Sequence, residues 1–317
     1  MTNISVDREP ALGAQRKEFS SAAFHRAQLR HFILFDVAPA LGTVVAFATL
    51  PWLPLNALQL ALFFCFWLIT GLGLTVGFHR YFSHRAFVAP PWIAQMLLIF
   101  GAMAARGSMV SWAAMHRRHH ERSDRDGDLH SPNLHGTHVR GRLRGLLHAQ
   151  FTWMIRHNYP NVAHYVPDLL KDKGLMRWNR RYYLCVAAGL LLPAFIGGVL
   201  TMSWQGAVTA FLWAGVVRIF VVEQTMSIIN SLCHLVGAKR YSREDNSRNM
   251  SWLGLFTWGE SHHNNHHAFS NSAAFGFHWY EFDPGFWFIR TLERMGLVSN
   301  VRRPQRGATA ADTKANA

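Results

Sequence analysis

The chain has 317 residues, half of them hydrophobic and 16% charged, against roughly 25% charged in an ordinary soluble domain. Such a composition leaves a membrane protein or one large soluble enzyme with two cores. The formal net charge of +14 comes with no recognised nucleic-acid-binding motif, so nucleic acid is a poor partner. Anionic lipid head groups, acidic carriers or acidic electron-donor proteins suit it better.

In chain order, residues 1–31 are expected to form a cytosolic N-terminal segment; its start, MTNISVDREP, lacks the pattern of a signal peptide. From Phe32 to Phe78 the only formal charge is Asp36, and from Tyr182 to Val217 there is none. A span takes about 20 apolar residues, so each run is long enough for a helical hairpin. Pro51 and Pro54 break the first run, and Ser203–Gly206 breaks the second. The pattern predicts an all-α membrane protein with transmembrane helices near 32–50, 56–77, 183–202 and 207–229. Of the 32 Lys and Arg, 5 lie in Met1–His31, 16 in His79–Arg181 and 10 from Ser231 onward. That leaves only Arg218, so the loops inside the hairpins carry no positive charge, which places the termini and the long middle segment on the cytoplasmic side.

The second predicted span runs into His79–Arg–Tyr–Phe–Ser–His84. On an ideal helix residues five apart diverge by about 140°, so these rings share a site only if the helix ends there. Pro90–Met115 is apolar apart from Arg106 and reads as an embedded or interfacial helix. It leads into His116, His119 and His120, spaced i, i+3 and i+4. His119 and His120 diverge by about 100°, so neighbouring rings can serve two metals. Asp124, Asp126 and Asp128 either orient ligand imidazoles or form a solvated loop.

Arg218 and Glu223 lie inside the fourth predicted span, where charge is costly, and their spacing predicts separate partners. At the end of that span Asn230 and His234 share a helix face. The stretch TWGESHHNNHHAF then places four histidines within six residues. On a helix His263, His266 and His267 face one way and His262 points aside. Three imidazoles gathered on one face repel when protonated, and a metal is the usual reason to gather them. Cys65, Cys185 and Cys233 are scattered and form no metal-binding pair, and residues 304–317 read as a disordered tail.

HRYFSH, HRRHH, NSLCH and GESHHNNHH resemble the histidine boxes of integral-membrane fatty acyl desaturases, in the stearoyl-CoA desaturase-like (Δ9) branch. HRRHHERSDRDGDLHSP, YVPDLLKD and DNSRNMSWLGLFTWGESHHNNHHAF resemble its bacterial and cyanobacterial members. The resemblance implies a desaturase domain over 32–303, with four spans under a helical cytosolic cap that carries a histidine-box di-metal site. It further implies two iron ions held by His79, His84, His116, His119, His120, Asn230 (through a water), His234, His263, His266 and His267. Trp112 matches a tryptophan that lines the acyl channel. Among the small residues of the second span, Gly73 is expected to line that channel, whereas Gly77 is expected to serve helix contact.

The implied activity is O2-dependent introduction of a cis Δ9 double bond into a saturated acyl chain, carried on CoA, on a carrier protein or in a lipid. No haem-attachment, ferredoxin or Rossmann motif is present, so the electrons must come from an external donor of ferredoxin, rubredoxin or cytochrome b5 type. The implied location is a bacterial plasma membrane. A hydroxylase on the same scaffold would use the same oxidant, and a metal transporter would put its ligands near the bilayer midplane instead. Four positions depart from the branch: Arg106 for Gln, Gln150 for His, Ser227 for Trp, and His262 beside the third box. None removes a ligand; all bear on the acyl channel.

Overall fold

The computed structural model describes residues 17–155 and 157–304, which leaves the polar start and the tail from Gln305 outside the described residues. Four helices are long and apolar enough to cross a membrane: Ala22–Ala48, Ala57–Ser83, Tyr182–Thr201 and Trp204–His234. The first starts ten residues earlier than the hydropathy suggests. Ser21 caps it by accepting a hydrogen bond from the Phe24 amide at 3.2 Å, and the helix runs unbroken through its polar first turns. The expected N-terminal segment is therefore partly the beginning of the first span.

The second and fourth spans also run further than expected, to Ser83 and His234, so they carry their histidines on the helix itself. These two form the centre of the bundle, with about half of their most apolar stretch buried, against 11% for the first span and 28% for the third. Leu41, Val44, Phe64, Leu191 and Phe195 point outward, as a helix in lipid requires.

Among the described residues three stretches are π-helical: Ile33–Val37, Gly73–Ser83 and Phe211–Val217. The second positions the site. Its hydrogen bonds link residues five apart, and the His84 amide donates to the His79 carbonyl at 3.2 Å. Residues five apart are thereby brought closer in register, and the helix ends at Ser83 with His84 as its cap, as expected, so His79 and His84 face one site.

The apolar helix Pro91–Ala102 is too short to span and packs on this π-helical stretch. The contact corrects the expectation for Gly73. A side chain there would overlap the backbone of Phe100 and Gly101, so Gly73 makes a helix–helix contact and not a channel wall. Gly77 approaches the Leu97 backbone in the same way, and Gly71 makes room for the indole of Trp258, which docks the third-box loop onto the second span.

Above the spans sits a cap of short helices, including Met109–Arg122, Val139–Gln150 and His263–Ala268. A two-stranded ribbon pairs Glu18–Phe19 with Tyr159–Pro160 and ties the chain's start to it. Arg117 clamps cap to bundle, donating to the carbonyls of Phe82, Ser83 and Tyr165 and to Asp168.

Candidate metal centre

Nine histidines gather into two groups. His79, His84, His116, His120 and His266 form one; His119, His234, His263 and His267 form the other. Within each group the ligand nitrogens all lie within 4.8 Å of one another. Both HxxHH boxes divide alike. The i, i+4 pair stays together (His116 with His120, His263 with His267), and the i+3 ring crosses to the other group. The shared face expected for His263, His266 and His267 thus serves two centres. Those centres lie close enough together for His266 to approach His120 while His263 approaches His234.

The nitrogens converge. Nε2 atoms face each other at 2.9 Å for His79 and His266, 2.7 Å for His84 and His116, 2.9 Å for His120 and His266, and 3.0 Å for His234 and His263. Metal–imidazole bonds of about 2.1 Å put adjacent ligand atoms roughly 3 Å apart, so these separations fit a shared ion. Nε2 of His119 and of His267 is buried with no protein partner. Buried polar atoms are otherwise satisfied, and two orphans aimed into a histidine cluster fit a cation. No thiol joins either group, and an all-imidazole set suits iron, zinc, copper or nickel.

The opposite ring nitrogens are held by carboxylates. Nδ1 of His119 meets Asp128 at 2.9 Å, that of His234 meets Asp124 at 2.8 Å, and that of His267 meets Asp245 at 3.2 Å. Nδ1 of His79 pairs with Glu260, which also accepts from Thr75. Such partners fix the tautomer that frees Nε2 for metal. Asp124 and Asp128 therefore orient rings of the two groups, whereas Asp126 is exposed. His262 stands outside both groups, its Nε2 donating to the Phe282 carbonyl at 3.1 Å.

A cavity of about 380 Å³ opens beside the groups. His79, His116, His263 and Asn230 line it, as does Trp112, which stacks on His116 with 5.0 Å between ring centres. Gly73 is not among its lining residues. Arg106 is. It forms an ion pair with Glu223, while Arg218 donates to the carbonyls of Met103, Gly189 and Ala214, so Arg218 and Glu223 do have separate partners.

The sequence model of the fatty acid desaturase family matches residues 51–298. The chain belongs to the fatty acid desaturase family. This desaturase is 44% identical over 298 residues to the hex-5-enoyl-(acyl-carrier protein) acetylenase of Moorena producens (strain JHB), covering 93% of each chain. It is 32% identical to the sn-1 stearoyl-lipid 9-desaturase of Anabaena variabilis, over 75% of its own length and 81% of that protein. The sn-1 stearoyl-lipid 9-desaturase of Synechocystis is 33% identical, over 78% and 73%.

The electrostatics of the desaturase favour neutral rings where a cation would bind. Burial, followed by the neighbouring rings, lowers the pKa of His84, His116, His120, His263 and His266 well below the usual value. Burial also takes His267 down to about 4, against the pull of Asp245. His119 differs. Burial works against its charge, but Asp128, helped by Asp124 and Asp245, outweighs that and raises its pKa, which makes this ring a basic donor. Burial alone would raise Asp124, Asp128 and Asp245; His234, His119 and His267 respectively hold them far below the carboxylate range.

Glu260 and Asp245 are braces that the sequence reading passes over. Glu260 lies inside GESHHNNHH, yet an acid three residues before a box has no helical spacing that assigns it to a ring 181 positions away. His130, which shares Asp128 with His119, is likewise visible only in three dimensions.

Proposed function

We propose that this protein is an O2-dependent di-iron acyl desaturase that introduces a cis double bond into a saturated acyl chain. The supporting observation is that two all-imidazole groups open onto one cavity. Iron bound there would supply the oxidising chemistry that no general acid or base offers toward an unactivated C–H bond. The ten sequence-derived ligands are its proposed holders, nine through Nε2 and Asn230 through a water. Imidazoles fill four or five positions per ion and leave room for dioxygen, whereas a structural zinc site closes at four ligands. The balance is one O2, two hydrogens from the chain, two external electrons and two protons, giving the alkene and two waters.

The chain's residues hold the substrate. Trp112 presses His116 into place and offers the acyl chain an apolar wall, and the buried rings keep bulk water from the reacting carbons. The bundle would lie in a bacterial plasma membrane with cap and termini in the cytoplasm, as the basic residues suggest. A diffusible donor such as a ferredoxin, a rubredoxin or cytochrome b5 would dock on that face. For the bond position, the names of the stearoyl-lipid relatives support Δ9. The acetylenase's name supports instead a bond at the end of a six-carbon chain on acyl-carrier protein.

The test is purified, iron-loaded protein supplied with O2, a reduced ferredoxin and acyl chains on carrier protein, on CoA and in lipid. Two irons per chain and O2-dependent alkene formation are expected. Activity in zinc-only protein would remove the iron assignment, and a hydroxylated product in place of the alkene would remove desaturation.

A further inference from the structure

Charge inside a membrane-spanning bundle marks a functional position. Here Arg106 and Glu223 are both buried and form an ion pair, and the Arg106 guanidinium also donates to the Glu223 carbonyl at 3.0 Å. Ser227 Oγ lies 3.5 Å from Arg106 and donates to Glu223 at 3.2 Å, and the Asp36 carboxyl of the first span neighbours Glu223. Two of the four departures from the desaturase branch therefore touch. A serine where that branch often has tryptophan leaves the space into which Arg106 extends.

This cluster lies where the cavity stops. Among the described residues, the fourth span lines the cavity with Met226, Ile229 and Asn230 and nothing deeper. The second span contributes only His79. Asn230 and Met226 are four residues apart, about 6 Å along the axis, and Glu223 lies one turn below. An apolar tail that follows the fourth span past the metal centre meets this desolvated ion pair within about two turns of Asn230. Arg106 is already neutralised by Glu223, so the floor excludes length without attracting an anionic chain end.

We propose that the Arg106–Glu223 pair, seated in the space left by Ser227, is the floor of the acyl cavity and restricts this desaturase to short acyl chains. Such chains are oxidised at or next to their methyl end. The proposal rests on the desaturase reading and deepens it.

The experiment presents a series from four- to eighteen-carbon saturated acyl groups on acyl-carrier protein. Binding is measured by thermal shift to zinc-loaded, redox-inert protein, and bond position is measured with iron-loaded protein. Wild type is expected to bind and convert the shortest chains best, with the new bond within the last few carbons. Affinity should fall about tenfold or more for each methylene past the floor. The double variant Arg106→Gln/Glu223→Gln removes both charges together, so no lone buried charge remains; its length limit is expected to move up by at least two carbons. Met226→Phe, which raises the floor, is expected to move it down.

Wild type that binds eighteen-carbon chains as tightly as six-carbon ones and desaturates them at C9 would overturn the proposal. So would an unchanged length profile in whichever of the two variants folds. If no chain of any length yields an alkene, the desaturase reading fails instead, and the binding series on zinc-loaded protein still decides the floor.

Discussion

The two histidine groups are built by different means. In the group of His119, His234, His263 and His267, three rings are braced by aspartates, Asp128, Asp124 and Asp245, drawn from loops of the cap. In the group of His79, His84, His116, His120 and His266, only His79 has a carboxylate, Glu260. The remaining rings are placed by helix geometry: the π-helical register sets His84, and i, i+4 spacing sets His116 and His120. One centre is tuned by charge and the other by backbone, so their sensitivities to substitution should differ.

The largest effects should come from neighbours in sequence that serve different groups. His266→Ala is expected to abolish activity and remove metal from the five-histidine group, and His267→Ala to do the same to the four-histidine group. Metal analysis should give about one ion per chain in each case, with different spectroscopic signatures for the ion retained. Loss of both ions from either variant would break the division.

Next come the braces. Removing an outer partner typically costs about 10–100-fold in metal affinity. Asp245→Asn should weaken only the second group and Glu260→Gln only the first, as read by competition with a graded chelator. Equal weakening of both ions by either variant would show that the centres share their supports.

Acid should act on both groups, and His267 gives the window. Its pKa falls from 6.5 to about 4 on folding, so its contribution to stability is fully present above 6.5 and is lost as pH falls toward 4. The other lowered rings push the same way. Thermal unfolding from pH 8 to pH 4 should show a falling Tm below about 6.5, with metal release alongside because protons compete for the same nitrogens. A flat profile over that range would mean the rings are not held neutral.

His262→Ala should have the smallest effect. Its ring makes one hydrogen bond, to the Phe282 carbonyl, so the cost should be about 1 kcal/mol of stability with both metals retained and activity kept. Metal loss in this variant would place His262 in the centre after all.

Spans and boxes were legible in the sequence because each rests on local repetition: long uncharged runs, and imidazoles at helical spacing. What escaped depends on distance or on backbone form. The helix end that lets His79 and His84 share a site is legible from hydropathy, whereas the i→i+5 ladder leading into it is not. A small residue such as Gly73 makes space, but the sequence does not say that the backbone of Phe100 and Gly101 fills it. Asp124 and Asp128 lie beside a box and could be suspected, whereas Asp245 and Glu260 reach rings 22 and 181 residues away.

The crossing of rings between boxes bears on how the protein is made. His79 and His266 face each other across 187 residues of chain. At roughly 5–20 residues per second, a ribosome takes about 10–40 s to travel between them. The second span can enter the bilayer during that interval, but neither ion can find its full set of nitrogens until the third box has emerged. Metal loading is therefore a late event in the life of each molecule. The first two boxes must wait as an unfinished site, open to whichever divalent ion reaches them first.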